Sequence, residues 1–333
     1  MSFSPRPDCF GRTDPGLVRE TNEDQFLVAE LTKSMLVHET SLDLDESTRL
    51  SGGRPGFLFL VADGLGGRPA GEQASRLAVE GVLRSVLGTL PWFTRPDDRP
   101  DDLVEDLEHV LEQGQRCIEA DAQENPSREG MATTLTMAYV RWPRLTVVHV
   151  GDSRAYLHRS GRLEQLTTDH TFEQPMRDSG SGSEAVKKKV LWNVIGGKGT
   201  EVSPDVIQVT LEPGDELLLA TDGLSEELPQ DQIARILDAA SDARDACRRL
   251  LHEATSAGGG DNITVVDARW PELRPEERPA AADRAEARPE TPVDLEPRGT
   301  PEPAGAPEPR SESQEEPVGV SVLPGPGSSC SRR

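Results

Sequence analysis

The stretches GFLFLVADGLGG, Gly56–Gly67, and DELLLATDGLSEE, Asp215–Glu227, decide how this chain reads. Each is a short apolar run that ends at Asp-Gly-Leu. Residues Phe57–Ala62 are apolar at every position, the pattern of a strand buried on both faces. One Asp-Gly after a strand is an ordinary turn. The same carboxylate and glycine closing two buried strands asks for a further reason.

Other carboxylates sit in the same way. Asp152 follows LTVVHVG, and Asp261 lies between the triple glycine Gly258–Gly260 and the last strand, NITVVDARW. Glu23 and Asp24 stand at the edge of NEDQFLV. If sheet packing gathers these ends, like charges repel and some carboxyls are forced to protonate. Such a cluster persists most naturally around divalent cations. The sequence has no HExxH, no paired cysteines and no His-rich stretch, so the donors are oxygens. Oxygen donors select Mg²⁺, Mn²⁺ or Ca²⁺. The calcium-loop pattern is absent, which leaves Mg²⁺ or Mn²⁺ in a two-metal site. Gly64 lets the backbone and its carbonyl approach a cation closely. Two such ions would bridge a water and turn it to hydroxide near neutral pH, ready for in-line attack on phosphorus. Arg19, four residues before Glu23, is the natural phosphate clamp, because a guanidinium fork matches phosphate oxygens.

Composition agrees. The net charge is −23, of which the segment 271–333 carries −5. So acidic a surface repels nucleic acid and anionic lipid, and an anionic substrate needs cations in the site. The segment 271–333 holds 13 of the 27 prolines, has no aromatic residue and shows no apolar period, so it reads as a disordered tail. Residues 1–270 are then one folded domain. Cys9, Cys117, Cys247 and Cys330 are widely spaced and read as reduced thiols. No apolar run approaches the ~18 residues of a membrane span, and the start MSFSPRPDCF lacks a signal design. The expectation is a soluble cytoplasmic protein that is monomeric.

The chain reads as β-rich blocks broken by two pairs of helices. The start, to about Val28, is strand, turn, strand, with Pro15-Gly16 as the turn. Residues 31–56 are a polar excursion, either a surface insertion or a long hairpin. Apolar spacing predicts helices over 70–90, 102–123, 230–239 and 241–256. Between the pairs, residues 131–168 read as antiparallel hairpins. Residues 170–200 read as a helix with a mobile flap, marked by DSGSGSE and KKK. This is not βαβ alternation. The fold class it predicts is α+β: an α/β/β/α sandwich of two antiparallel sheets flanked by helices.

The motifs DPGLVRETNED, VADGLGGRPAGE, MATTLTMAYV, VGDSRAYL, LTTDH, LWNVIGG, LLLATDGLSEEL and GGGDNITVVDAR occur in one order over residues 8–269. In that order they resemble the metal-dependent protein phosphatase family, type 2C, and its bacterial Ser/Thr branch. The resemblance implies the four-layer sandwich with a dinuclear site at one end of the sheets. It implies that Asp63 bridges both metals and that the Gly64 carbonyl binds one. Asp222 and Asp261 bind the other, which Glu23 reaches through water. Asp24 orients those waters, Asn262 orders the last loop, and Asp152 with Asp222 holds a third, weaker metal. Arg19 matches the phosphate-binding Arg, so Asp63, Arg19 and Asp24 carry the catalysis.

Three positions depart from that pattern: Leu65 stands where eukaryotic members have His, Ala132 where Gly is common, and Arg68 where His is frequent. The implied activity is hydrolysis of phosphoserine and phosphothreonine in proteins by direct attack of a metal-bridging hydroxide. The implied partners are phosphorylated proteins and Ser/Thr kinases, with no nucleic acid and no membrane insertion. Two alternatives stay open: a catalytically silent phosphopeptide-binding scaffold, and a phosphatase of a small phosphoester. A serine hydrolase using Ser153 lacks the Gly-x-Ser-x-Gly elbow.

Overall fold

The computed structural model describes residues 5–36, 49–67, 70–89, 100–175, 187–197 and 202–272. The expected tail, Arg68 and the centre of the expected flap lie outside them.

The strands are β1 (Asp8–Asp14), β2 (Gln25–Leu36), β3 (Arg49–Ala62), β4 (Gly64–Leu65), β5 (Ala132–Thr133), β6 (Leu135–Arg141), β7 (Arg144–Val150) and β8 (Arg154–Arg159). They continue with β9 (Arg162–Gln165), β10 (Thr171–Pro175), β11 (Lys187–Leu191), β12 (Ile195–Gly196), β13 (Asp205–Thr210), β14 (Glu216–Ala220) and β15 (Ile263–Arg269). The helices are α1 (Ala70–Thr89), α2 (Pro100–Glu124), the short α3 (Asp222–Ser225), α4 (Gln230–Ala239) and α5 (Ala243–Ala257). All four long helices coincide with the helical spacing of the sequence.

Two five-stranded antiparallel sheets dominate, ordered β1-β15-β14-β8-β9 and β13-β7-β6-β3-β2. Alternation along the strands explains why they are apolar throughout. In β3, Phe57, Phe59 and Val61 pack between the sheets against Leu217, Leu219 and Val266. Leu58, Leu60 and Ala62 face the other way, onto Ala74, Ala78 and Leu107 of α1 and α2. In β14, Leu218 and Ala220 likewise pack onto Ile233 and Leu250 of α4 and α5. Successive strand residues point to opposite faces, so a strand in either inner layer must be apolar at every position. Each fully buried Leu or Phe contributes about 1.5–3 kcal/mol. These interfaces, helices on sheet, sheet on sheet and sheet on helices, are the four expected layers.

Two expectations change. Residues 170–200 contain no helix among those described: β10 and β11 pair antiparallel, Thr171 with Leu191 through Pro175 with Lys187. The lysine run is the β11 strand itself. Residues 131–168 are not one series of hairpins. β6–β7 and β8–β9 are hairpins, but β7 and β8 belong to different sheets. For the excursion at 31–56 the long hairpin holds, since β2 and β3 pair from Gln25↔Ala62 out to Leu36↔Arg49, with an irregularity between Leu31 and Lys33.

The register places the site. Gln25 pairs with Ala62, Asp14 with Ile263, Ala220 with Arg154, and Leu135 with Val150. The chain therefore enters or leaves β1, β2, β3, β7, β8, β14 and β15 at one end of the sandwich. The segments 15–24 and 151–153 cross there from one sheet to the other. Every acid singled out in the sequence stands in one of these connections.

Candidate metal centre

Asp63 follows β3, and its backbone is held from both sides. Its N–H donates to Thr134 Oγ1 at 3.0 Å, and its carbonyl accepts from Thr134 N at 2.9 Å and Thr133 Oγ1 at 2.7 Å. Gly64 enters a short ladder, paired with Thr133, while Leu65 pairs with Ala132. Two of the departures from the family pattern are thus partners across one strand pair. A Cβ on Gly64 would run into the Gly71 and Glu23 carbonyls, so this close approach requires glycine. Gly71 is constrained less tightly: a Cβ there would lie 2.8 Å from the Gly64 carbonyl oxygen and would push the flexible Glu23 carboxylate aside.

Asp24 is almost wholly buried, 3% exposed. Its Oδ2 accepts from Thr221 Oγ1 at 2.9 Å and Thr264 Oγ1 at 2.7 Å. These threonines belong to the ends of β14 and β15, so Asp24 ties the crossover to the opposite sheet. Asn262 completes the tie: its Oδ1 accepts from Glu23 N at 2.8 Å and its Nδ2 donates to the Pro15 and Thr21 carbonyls. Asp222 opens α3 directly after β14, and Asp152 is buried at 7% exposure. Arg19 Nη2 donates to Asp261 Oδ2 at 2.6 Å.

The electrostatics show that these acids share one field. Burial above all, then the neighbouring Asp24, Asp222, Asp261 and Asp152, pushes the Asp63 carboxyl well above the usual carboxylate range. Asp222 is pushed up by burial and then chiefly by Asp152. Asp24 is pushed up to about 6 by burial, although hydrogen bonds from Thr264, Thr221 and Asp63 pull it down. Asp24 Oδ1 and Asp222 Oδ1 are buried without a hydrogen-bond partner. Orphaned acceptors cost about 1–3 kcal/mol each, and more when charged. Bound divalent cations would satisfy them and restore ionisation, so the donor set suits oxygen-seeking Mg²⁺ or Mn²⁺. Among the described residues no three acid, His or Cys side chains already close into a finished metal cage.

All the acids expected from the sequence therefore meet at this end of the sandwich. The sequence reading missed the hydroxyls that hold them: Thr134, Thr221, Thr264 and Ser75, whose Oγ donates to the Glu23 carbonyl at 2.6 Å. Of these, only Thr221, directly before Asp222, stands beside an acid in the sequence, so these hydroxyls carried little signal there. Ser153 is fully buried and shares its hydroxyl with Thr134 at 2.8 Å, so it is no exposed nucleophile.

Comparison with known proteins agrees with the geometry. The family description "Protein phosphatase 2C" matches residues 44–256. The chain is 34% identical over 262 residues to the serine/threonine protein phosphatase PstP of Mycobacterium tuberculosis, covering 77% of this chain and 44% of that protein. It thus spans under half the length of that relative. It is 29% identical to the serine/threonine phosphatase stp of Listeria monocytogenes, over 92% of that protein. It is 34% identical to the protein phosphatase PhpP of Streptococcus pneumoniae, over 84% of that protein. The crystal structure of the PstP catalytic domain in complex with two manganese ions superposes with a TM-score of 0.58, at 30% identity over 81% of this chain and 100% of that one. With its two-sheet sandwich and its acids gathered at one end, the chain belongs to the protein phosphatase 2C family.

Proposed function

We propose that the chain is a Mg²⁺- or Mn²⁺-dependent phosphatase of phosphoserine and phosphothreonine in proteins. The single observation that carries this reading is the convergence of Glu23, Asp24, Asp63, Asp152, Asp222 and Asp261 on one end of the sandwich, with carboxyls pushed up and buried oxygens unpartnered. Asp63 and the Gly64 carbonyl, with Glu23, Asp222 and Asp261, would hold two ions, and Asp152 with Asp222 a third. Bound there, the ions supply the positive charge that an acidic protein lacks and acidify a water for attack on phosphorus.

The chain's own residues do the rest. Arg19, now on Asp261, takes the phosphate oxygens and turns the phosphorus toward the acids. Asp24, fixed by Thr221 and Thr264, orients water at the centre. Asn262 keeps Glu23 and the Asp261 loop in register. Leu65 cannot donate a proton, so the leaving Ser or Thr oxygen takes its proton from another source. Among the described residues no helix is long and apolar enough to cross a membrane. The natural partners in this reading are phosphoproteins and the Ser/Thr kinases that modify them.

Hydrolysis of a phosphothreonine peptide, with Mn²⁺ and with chelator, tests the proposal. Turnover that requires the metal supports it. Well-folded, metal-loaded protein that turns over neither the peptide nor an aryl phosphate would instead be a phosphopeptide-binding scaffold.

A further inference from the structure

Among the described residues the exposed large apolar side chains are Leu17 and Val18, each 69% exposed, with Leu87, Phe172 and Trp192. A lone exposed Leu is commonplace. Leu17 and Val18 differ because they are consecutive, directly precede Arg19, and sit on a backbone that is fixed. Gly16 N donates to Asp14 Oδ1 at 2.9 Å, and Leu17 N to the Gly259 carbonyl at 2.8 Å. Asn262 Nδ2 bonds the Pro15 carbonyl at 3.0 Å and the Thr21 carbonyl at 2.9 Å, gripping both flanks of the turn. Gly16 has φ 74°, and a Cβ there would run into the Asp261 carbonyl. Leu17 Cγ lies 3.1 Å from where a Cβ of Gly259 would stand. The turn is therefore clamped to the loop that carries Asp261, with two branched apolar side chains held out to water.

We infer that Leu17 and Val18 form the specificity contact for an apolar residue flanking the phosphorylated Ser or Thr of a protein substrate. The inference rests on Arg19 being the phosphate clamp. Successive Cα atoms lie about 3.8 Å apart in a peptide as in the turn. With the phosphate on Arg19, a residue flanking the phosphoresidue would lie within reach of the turn that carries Leu17 and Val18. The net charge of −23 disfavours acidic neighbours there, and an apolar one removes exposed hydrocarbon from water. An open contact discriminates less than a closed pocket, where a methylene gives about 10–200-fold, so about 5-fold is expected.

The test uses the full chain loaded with Mn²⁺ and two phosphothreonine peptides differing only in Leu or Ser on either side of the phosphoresidue. A Leu17→Ser/Val18→Ser double variant and the single Val18→Ser are compared, with p-nitrophenyl phosphate as a substrate too small to reach the turn. The expected result is an about 5-fold preference of the unchanged protein for the Leu peptide, seen in KM. In the double variant that preference falls to about 1, while the Ser peptide and p-nitrophenyl phosphate stay within about 2-fold. No preference in the unchanged protein would overturn the inference, as would equal loss on all three substrates. A dimer that dissociates in the variants would also overturn it, by making the patch a self-interface. Turnover of p-nitrophenyl phosphate without either peptide removes this inference and the protein-substrate reading, and leaves the metal centre standing. Turnover of none removes the reading of the metal centre with it.

Discussion

Arg19 and Asp261, 242 residues apart along the chain, meet at 2.6 Å at the edge of the acidic centre. Both side chains keep solvent contact, 56% and 31% exposed, so the pair contributes no more than about 1 kcal/mol. Exchange is therefore cheap. A cation held by Asp261 would free the Arg19 guanidinium for a phosphate. Arg19→Ala is expected to lower kcat/KM on a phosphopeptide about 10- to 100-fold, mostly through KM, from the loss of a charge-assisted fork worth about 1.5–3 kcal/mol. Arg19→Lys should recover little of it, since a point charge does not reproduce the fork. Steady-state kinetics decide this, and wild-type KM in Arg19→Ala would remove Arg19 from the phosphate site.

Asp222 is expected to act in opposite directions on stability and on activity. Its carboxyl is pushed well up by burial and by Asp152. Asp222→Asn removes a like charge, so metal-free protein at pH 8 should melt about 3 °C higher, for ~1 kcal/mol in a domain of this size. The same variant should lose about 100-fold or more in metal-dependent turnover. Melting and kinetics on one preparation check both, and a variant that loses stability together with activity would mean a merely structural Asp222.

The same shifts set a pH dependence. A carboxyl raised in the fold contributes stability below its unfolded value, near 4, and loses it as pH rises through the folded value. For Asp24 that window runs from about 4 to about 6, and Asp63 and Asp222 extend it upward. Chelated protein should therefore melt higher at pH 5 than at pH 8, and Mn²⁺ should restore the loss at pH 8. A flat profile in chelator would show that the acids do not share one field.

Much of this was readable in the residues, for a physical reason. Phe57–Ala62 and Leu217–Ala220 must be apolar on both faces because each lies in an inner layer, and that pattern is local in sequence. Helical spacing is equally local, which is why α1, α2, α4 and α5 fall where expected. The crossing of Gly151–Ser153 between sheets was not readable, because a strand's sequence does not say which sheet it joins. The β10–β11 hairpin was misread for a related reason: Lys187–Lys189 has no apolar alternation to betray a strand. At the site, the acids stood out by their place after buried strands, whereas Thr221 and Thr264 are ordinary strand residues until Asp24 comes between them.

Those threonines yield another prediction. Thr264 Oγ1 donates to Asp24 Oδ2 at 2.7 Å, and both side chains are buried. Thr264→Val should destabilise the protein by about 1–3 kcal/mol and loosen Mn²⁺ binding about 10-fold or more. Calorimetric titration reads the second effect independently of turnover. Unchanged affinity would confine Thr264 to the fold.

The central claim is that the gathered carboxylates hold divalent cations. The most direct measurement is anomalous diffraction from crystals grown with Mn²⁺. The account predicts at least two peaks within coordination distance of Asp63, Asp222 and Asp261, with Arg19 turned away from Asp261. Clear density for the side chains, no anomalous peak among them, and an intact Arg19–Asp261 pair at saturating Mn²⁺ would contradict it.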